Sequence, residues 1–415
     1  MDAVIQSGWA RPQATGRVPF GGHEPAWLRA AEPDAPYLPD DLAPVDWSEA
    51  SLRLQAWLDV SLSDRPPARY DRSLAERYVP NASSLLPKAL ADQLFQASRW
   101  YETLPRGAFA RAVEEAFVLD LAWSSSRLEG NSLSRKQSQA IFSLGRLIED
   151  PRSAHDDDVR MLINHKNAVE YLVHAAPNQR FSVEFVFAVH DLLMDGLMSD
   201  RLDQGRIRSH EVEVVGAAFE PEQRRDALRD QLDLVLAKAA AIRNPVEAAF
   251  FLWVHLAYLQ AFADGNKRTS RVVANLPLLL RNCAPLSFEG IDEVDYGRAM
   301  LGVYERQDVS MAIDLFVHTY RRSMRKYVAL LATRPRIDAR VARFRDELLR
   351  VIRAVVVERR SAAAAIAFEC LEPSDAGEFG ELLAERLRTL APRHALRFDI
   401  DEPLIDSWIA AGRPH

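Results

Sequence analysis

Gln260-Ala261-Phe262-Ala263-Asp264-Gly265-Asn266-Lys267-Arg268-Thr269-Ser270-Arg271 is the stretch whose reading decides the fold. An uncharged apolar run from Ala248 to Ala263 leads into it, and Val272, Val273, Leu276 and Leu279 carry helical spacing beyond it. Between the two, Gly265-Asn266 is a turn signal, because both residues tolerate left-handed backbone angles. A helix therefore opens inside the motif, and its free N–H groups make an anion site. Arg268, Arg271 and Asn275 fall at i, i+3 and i+7 on one face of that helix. Paired guanidinium hydrogen bonds suit phosphate oxygens. Asp264 is the kind of single carboxylate used by a magnesium ion that takes its other ligands from water and substrate phosphates. The same residues also fit a plain interhelical turn followed by solvated basic side chains.

The apolar run is about 16 residues long, short of the roughly 20 that span a bilayer, and it carries His255 and Gln260. It predicts a buried core helix. Helical spacing recurs over 111–128, 155–173, around Phe185 to Leu193, around Leu228 to Val235, and from Asp314 to Tyr327. Asp46 with Glu49 predicts a capped helix start. Val212 to Phe219, β-branched around Gly216, predicts a short hairpin. A long amphipathic helix is expected from about 337, its apolar stripe packed on the main core or on a second subunit in a homo-oligomer. Ala365 to Phe368 and Leu396 to Ile400 read as strands.

These patterns divide the 415 residues into a proline-rich, partly helical extension (1–90), a helical region (91–180), a core (181–328) and a C-terminal region (329–415). The fold class expected is mainly α, with a short β-hairpin and a small α+β or helical C-terminal appendage. A net charge of −7 argues against a dedicated nucleic-acid binder. Cys283 and Cys370 offer neither a disulfide framework nor metal spacing. With no signal-peptide pattern and no membrane span, a cytoplasmic location is expected.

The motif resembles the signature of Fic (Fido) domain proteins, HPFx(D/E)GNGRxxR in most active members. Gly205-Arg206-Ile207-Arg208 with the expected hairpin looks like that family's flap, which positions a target side chain. Val189-His190-Asp191-Leu192-Leu193-Met194 is similar to the helix that precedes it. Ser125-Ser126-Arg127-Leu128-Glu129-Gly130-Asn131 resembles the family's inhibitory helix motif (S/T)xxxE(G/N). The resemblance covers roughly 110–325 and implies a Fic-type helical core that binds ATP with Mg2+ and transfers AMP to a hydroxyl of a target protein. It implies Asp264 as metal ligand, Gly265 and Asn266 as anion cradle, Lys267, Arg268 and Arg271 as nucleotide-binding residues, and Glu129 as inhibitor. Phe262 is implied as the loop's core anchor, and Val214, Val215 and Gly216 as the flap.

Three residues depart from the signature. Gln260 stands where the catalytic histidine belongs, and an amide cannot take the hydroxyl proton at neutral pH. Ala261 replaces a proline, and Lys267 replaces the second glycine, as in the Doc relatives that behave as kinases. An adenylyltransferase, a Doc-like phosphotransferase and a catalytically impaired nucleotide-binding protein are therefore all expected candidates. His255 is expected to face away from Gln260, and His210 to be an exposed loop residue. Glu129 also reads simply as a helix end capped by Gly130.

Overall fold

The computed structural model describes residues 44–99, 106–144, 156–332, 340, 343–369, 371, 375–392, 398 and 400–414, all within the unit Pro36–His415. The described helices are α1 (Glu49–Leu58), α2 (Ser73–Glu76), α3 (Lys88–Ser98), α4 (Ala108–Ala112), α5 (Glu114–Arg127), α6 (Arg135–Leu144), α7 (Asp156–Ala175), α8 (Val183–Met194), α9 (Arg225–Ala241), α10 (Pro245–Leu259), α11 (Asn266–Val273), α12 (Leu276–Leu280), α13 (Glu293–Arg306), α14 (Ser310–Ala332), α15 (Arg345–Val356), α16 (Ala362–Ala367), α17 (Ala376–Thr389) and α18 (Glu402–Ala410). The mainly α class is what the helical spacing predicts. Among the described residues no helix is long and apolar enough to cross a membrane.

The axis of the core is α10. Asn244 caps it by accepting from the backbone of Val246 and Glu247, and Pro245 at its first turn needs no donor there. All 15 of its residues are buried, as a helix apolar on every side must be. α9, α11, α3, α12 and α13 pack around it, while α5 lies along α7 and α7 along α8. His255 packs against Phe251, ring centres 4.1 Å apart and tilted by 46°, inside this core, as its helical position predicts.

Several expectations are corrected. α1 is capped by Ser48, whose side chain accepts from Ser51 N, so Asp46 is not the cap. Val212 to Phe219 does not form a hairpin. The sheet has two short strands, β1 (Ala68–Arg69) and β2 (Phe219–Glu220), and they run parallel with Ala68 opposite Phe219. Val212 is instead paired by a side chain: Gln223 Oε1 accepts from Val212 N (3.2 Å) and Gln223 Nε2 donates to Val212 O (3.0 Å). Ala365 to Phe368 is not a strand, because Ala362–Ala367 is helical behind a Ser361 cap. Of Leu396 to Ile400, only Phe398 and Ile400 are among the described residues, and Phe398 is helical.

A second apolar cluster joins Phe344, Leu348, Val351 and Val355 to Phe379, Leu383, Ile405 and Trp408. The stripe on α15 is therefore covered by the chain's own C-terminal helices, and not by the main core. Ile337, Val341 and the proline-rich start lie outside the described residues.

Candidate nucleotide site

The site is a bend between two helices. α10 ends at Gln260, which adopts φ 50° and ψ 48°, and Gly265 sits at φ 75° just before α11. Gly265 needs its missing Cβ twice over: the angle is left-handed, and a Cβ there would come within 2.6 Å of Met194 Sδ. Asn266 closes the loop between them. Its Oδ1 accepts from Phe262 N (2.9 Å) and its Nδ2 donates to Phe262 O (2.8 Å). Asn266 thus shapes the cradle with its side chain, while the first N–H groups of α11 have no acceptor within the helix. Phe262 is buried and stacked on His190 at 3.9 Å, the anchor role expected of it.

His190 joins three segments. Gly205 N donates to its Nδ1 (3.0 Å), so Nε2 carries the proton and donates to Asp264 O (3.0 Å). Burial pushes the ring down to about 4, with Arg268 adding to the shift. It is a neutral spacer that fixes the motif loop against α8.

The charged residues form two groups on α11. Arg268 Nη2 donates to Asp264 Oδ2 (2.7 Å), and Gly265 N donates to Asp264 Oδ1 (2.6 Å). Burial alone would raise the Asp264 carboxyl, but Arg268 and the Gly265 N–H outweigh it and hold it below the ordinary value. The Asp264 side chain is 68% exposed.

Arg271 is fully buried. Its Nη2 donates to Glu129 Oε1 (2.7 Å) and Ser125 O (2.9 Å), and its Nε donates to Ser125 Oγ (2.9 Å). The guanidinium also lies 4.9 Å from the centre of the Tyr296 ring. Lys267 Nζ stands 3.5 Å from Glu129 Oε2, so each Glu129 oxygen faces a different cation. Burial pushes the Glu129 carboxyl up, but Arg271, Lys267 and Arg268 together hold it below its usual range. Glu129 also ends a helix as its alternative reading required: α5 stops at Arg127 and Gly130 follows at φ 86°.

Two donor groups are conspicuous. Arg268 Nε and Arg271 Nη1 are buried without a hydrogen-bond partner, on the same helix face. Such atoms are costly unless something accepts from them, and anionic oxygens supply that. No group of three or more His, Cys, Asp or Glu among the described residues could hold a metal unaided. A lone exposed Asp264 fits a magnesium that takes most of its ligands from phosphate and water.

Gln260 is turned inward. Its Nε2 donates to Ala257 O (2.8 Å) and to Tyr304 OH (3.3 Å), and its side chain is nearly buried. Arg208 clamps the flap loop to it. Arg208 N donates to Ala261 O (3.1 Å), Nε to Gln260 O (2.9 Å), Nη1 to His210 O (2.9 Å), and Nη2 to Glu222 O. Both ends of the loop carrying Val214, Val215 and Gly216 are thereby tied to the motif. Val215, at its tip, is 99% exposed. Arg65 holds the return arm, with Nη1 on Glu305 and Nη2 on Gly216 O (3.3 Å), while Glu305 Oε1 accepts from Ala218 N (2.9 Å). His210 is exposed, as expected.

Asn275 does not share the arginine face. Its amide exchanges hydrogen bonds with Leu286 (N to Oδ1, 2.7 Å; Nδ2 to O, 3.0 Å), and α11 ends just before it. The sequence reading missed Ser125 as an arginine acceptor and His165 behind it. His165 Nδ1 donates to Met161 O (2.7 Å), leaving Nε2 to accept from Ser125 Oγ (3.0 Å). A clue was available: His165 falls between Leu162 and Val169 on the apolar side of α7.

Residues 180–278, which hold the apolar helix, the glycine turn and the arginine-bearing helix, match the model of the Fic/DOC family. Among curated proteins, the protein adenylyltransferase fic-1 of Caenorhabditis elegans is 24% identical over 230 residues, 54% of this chain and 44% of its own. The protein adenylyltransferase Fic of Nematostella vectensis is 24% identical over 246 residues, 55% of this chain and 56% of its own. The chain thus spans about half the length of the curated relatives it matches. A solved structure of C. elegans Fic-1 aligns at TM-score 0.48 and 20% identity, covering 59% of this chain and 73% of that one. A Fic family protein from Desulfovibrio desulfuricans aligns at 0.46 and 17%, covering 72% and 90%. Glu129 lies outside the matched residues and reaches the motif from α5.

Proposed function

We propose that this chain is a Fic-type ATP-binding protein built for AMP transfer to a protein hydroxyl and held back by Glu129. One observation carries this reading: the unpartnered donors of Arg268 and Arg271 share a helix face, beside free helix N–H groups, with a carboxylate parked on the second arginine. The relatives named protein adenylyltransferases support the same chemistry. Arg268 and the α11 N-terminus would take the inner phosphates, and Arg271 and Lys267 the outer one. Asp264 would hold the magnesium, which neutralises charge on the phosphates when bound. The flap would present the target hydroxyl, whose oxygen attacks the α-phosphorus as the bond to pyrophosphate breaks, the hydroxyl proton passing to solvent water. Glu129 occupies the two cations that the terminal phosphate needs.

The hydroxyl proton has no acceptor at position 260. That Gln260 is already bound to Ala257 O and Tyr304 OH favours a second reading, a nucleotide-binding protein with little or no transferase activity. Lys267 beside the outer-phosphate position keeps a third, γ-phosphoryl transfer, in the same test. That test incubates wild type and Glu129→Gly with α-labelled and γ-labelled ATP in parallel. The expected result is stronger ATP retention by Glu129→Gly, with α-label, not γ-label, reaching protein. Transfer of γ-label alone would replace the adenylyltransferase reading with the kinase one. Binding without either transfer would establish the second reading.

A further inference from the structure

The other end of α10 carries a basic groove. It has a volume of about 470 Å3, and Arg106, Arg180, Arg243 and Arg281 line it over a floor that includes Phe181 and Pro277. These arginines come from four separate segments: before α4, before α8, between α9 and α10, and after α12. All four are exposed, and none of their guanidinium groups has a hydrogen-bond or ion-pair partner among the described residues. No carboxylate among the described residues lines the groove.

This arrangement is unusual for a chain of net charge −7. Elsewhere in the same fold arginines find carboxylates readily, as Arg65 does with Glu305, Arg229 with Asp233 and Arg298 with Asp59. Arg243 and Arg281 follow helix C-termini, where the helix dipole favours a cation. Arg106 and Arg180 precede helices and have no such reason to be basic. Four like charges around one concavity repel one another, and that cost falls when an anion binds between them. The groove shares no lining residue with the motif: Pro245 lines it about 20 Å along α10 from Gln260 at 1.5 Å per residue, and Pro277 lines it six positions beyond Arg271.

We propose that this groove is a second ligand site, for a small phosphorylated molecule whose phosphates bridge the four guanidinium groups and whose apolar or ring portion lies on the floor. Planar guanidinium forks suit phosphate oxygens, and the volume lies within the range of small-molecule pockets. The proposal stands whether or not the motif binds ATP.

The test is calorimetric titration of the full chain, without magnesium, using inorganic pyrophosphate for the charge and 1-naphthyl phosphate for charge plus ring. Wild type should bind both saturably, and more weakly as salt is raised. Arg180→Ala/Arg281→Ala and Arg106→Ala/Arg243→Ala should each weaken pyrophosphate at least tenfold, with unchanged thermal melting. Phe181→Ala should weaken naphthyl phosphate and leave pyrophosphate alone. Wild-type affinity in both double variants would overturn the proposal, as would no saturable binding by wild type. So would binding of a single-stranded oligonucleotide through the same arginines with neither phosphate probe bound, since the groove would then be a nucleic-acid face.

Discussion

Arg271 shows why residue identity matters at this site. A guanidinium has five N–H donors, and here Nε and Nη2 are spent on Ser125 and Glu129 while Nη1 is left over. Arg271→Ala is expected to weaken magnesium-ATP binding by at least ~1.5 kcal/mol, the low end for a charged hydrogen bond. Calorimetry showing wild-type affinity in Arg271→Ala and Arg268→Ala would remove the phosphate assignment. Arg271→Lys tests whether the fork itself is needed, because one ammonium cannot reproduce it. Gln260→His supplies a base at the bend. In a Glu129→Gly background it should raise transfer of α-label by roughly 10²–10⁴-fold, the usual worth of a positioned base. An unchanged rate would mean that Ala261 and Lys267 have shifted the loop itself. The motif residues were legible in the sequence because their spacing is local. Ser125 and His165 were not, since their partners lie 146 and 40 residues away.

At the scale of elements, α5 is the part that brings an inhibitor to the site. It is pinned at Asp120, which is buried between Arg135 and Lys326 and also accepts from Tyr327 OH (3.1 Å). Burial raises the Asp120 carboxyl, while Lys326 and Arg135 work against that shift. Removing its charge leaves Lys326 and Arg135 with Glu289 as their remaining carboxylate, and Arg135 is 39% exposed, so the loss stays below that of a fully buried pair. Asp120→Asn should therefore lose about 1–3 kcal/mol of stability in urea denaturation. A loss under ~1 kcal/mol would show that α5 is held by packing alone. The elements misread from the sequence have physical reasons too. Val212 to Val215 looked like a strand arm, but its partner is a Gln223 side chain, and β2 pairs with residues some 150 positions earlier. No local pattern signals such a pairing. Ala362 to Ala367 was different, because the Ser361 cap and the alanine run, the best helix former, were both in view. There two apolar residues were given more weight than propensity deserved.

For the molecule as a whole, three buried histidines set the response to acid. Burial pushes His165 and His255 down to about 3 and His190 to about 4, from an ordinary 6.5. A folded-state value below the unfolded one means that the unfolded chain takes up protons first as pH falls. Stability should therefore be full above about pH 6.5 and decline from there toward pH 4, before most carboxylates titrate. Glu129 and Asp264, both held below their ordinary values, extend the loss below pH 4.5 and 3.8 respectively. His255 isolates the effect. It packs against Phe251, its Nε2 has no partner, and it is not part of the candidate site. His255→Phe keeps a ring in that space and removes the titration. By linkage, a histidine shifted this far costs roughly 2–3 kcal/mol at pH 4.5 relative to pH 7. Urea denaturation at those two pH values should show a fall in stability smaller by about that amount in His255→Phe than in wild type. Equal falls in the two proteins would mean that the ring is protonated in the folded state, or that water reaches it. The helix that carries the motif would then be less tightly packed than its 15 buried residues indicate.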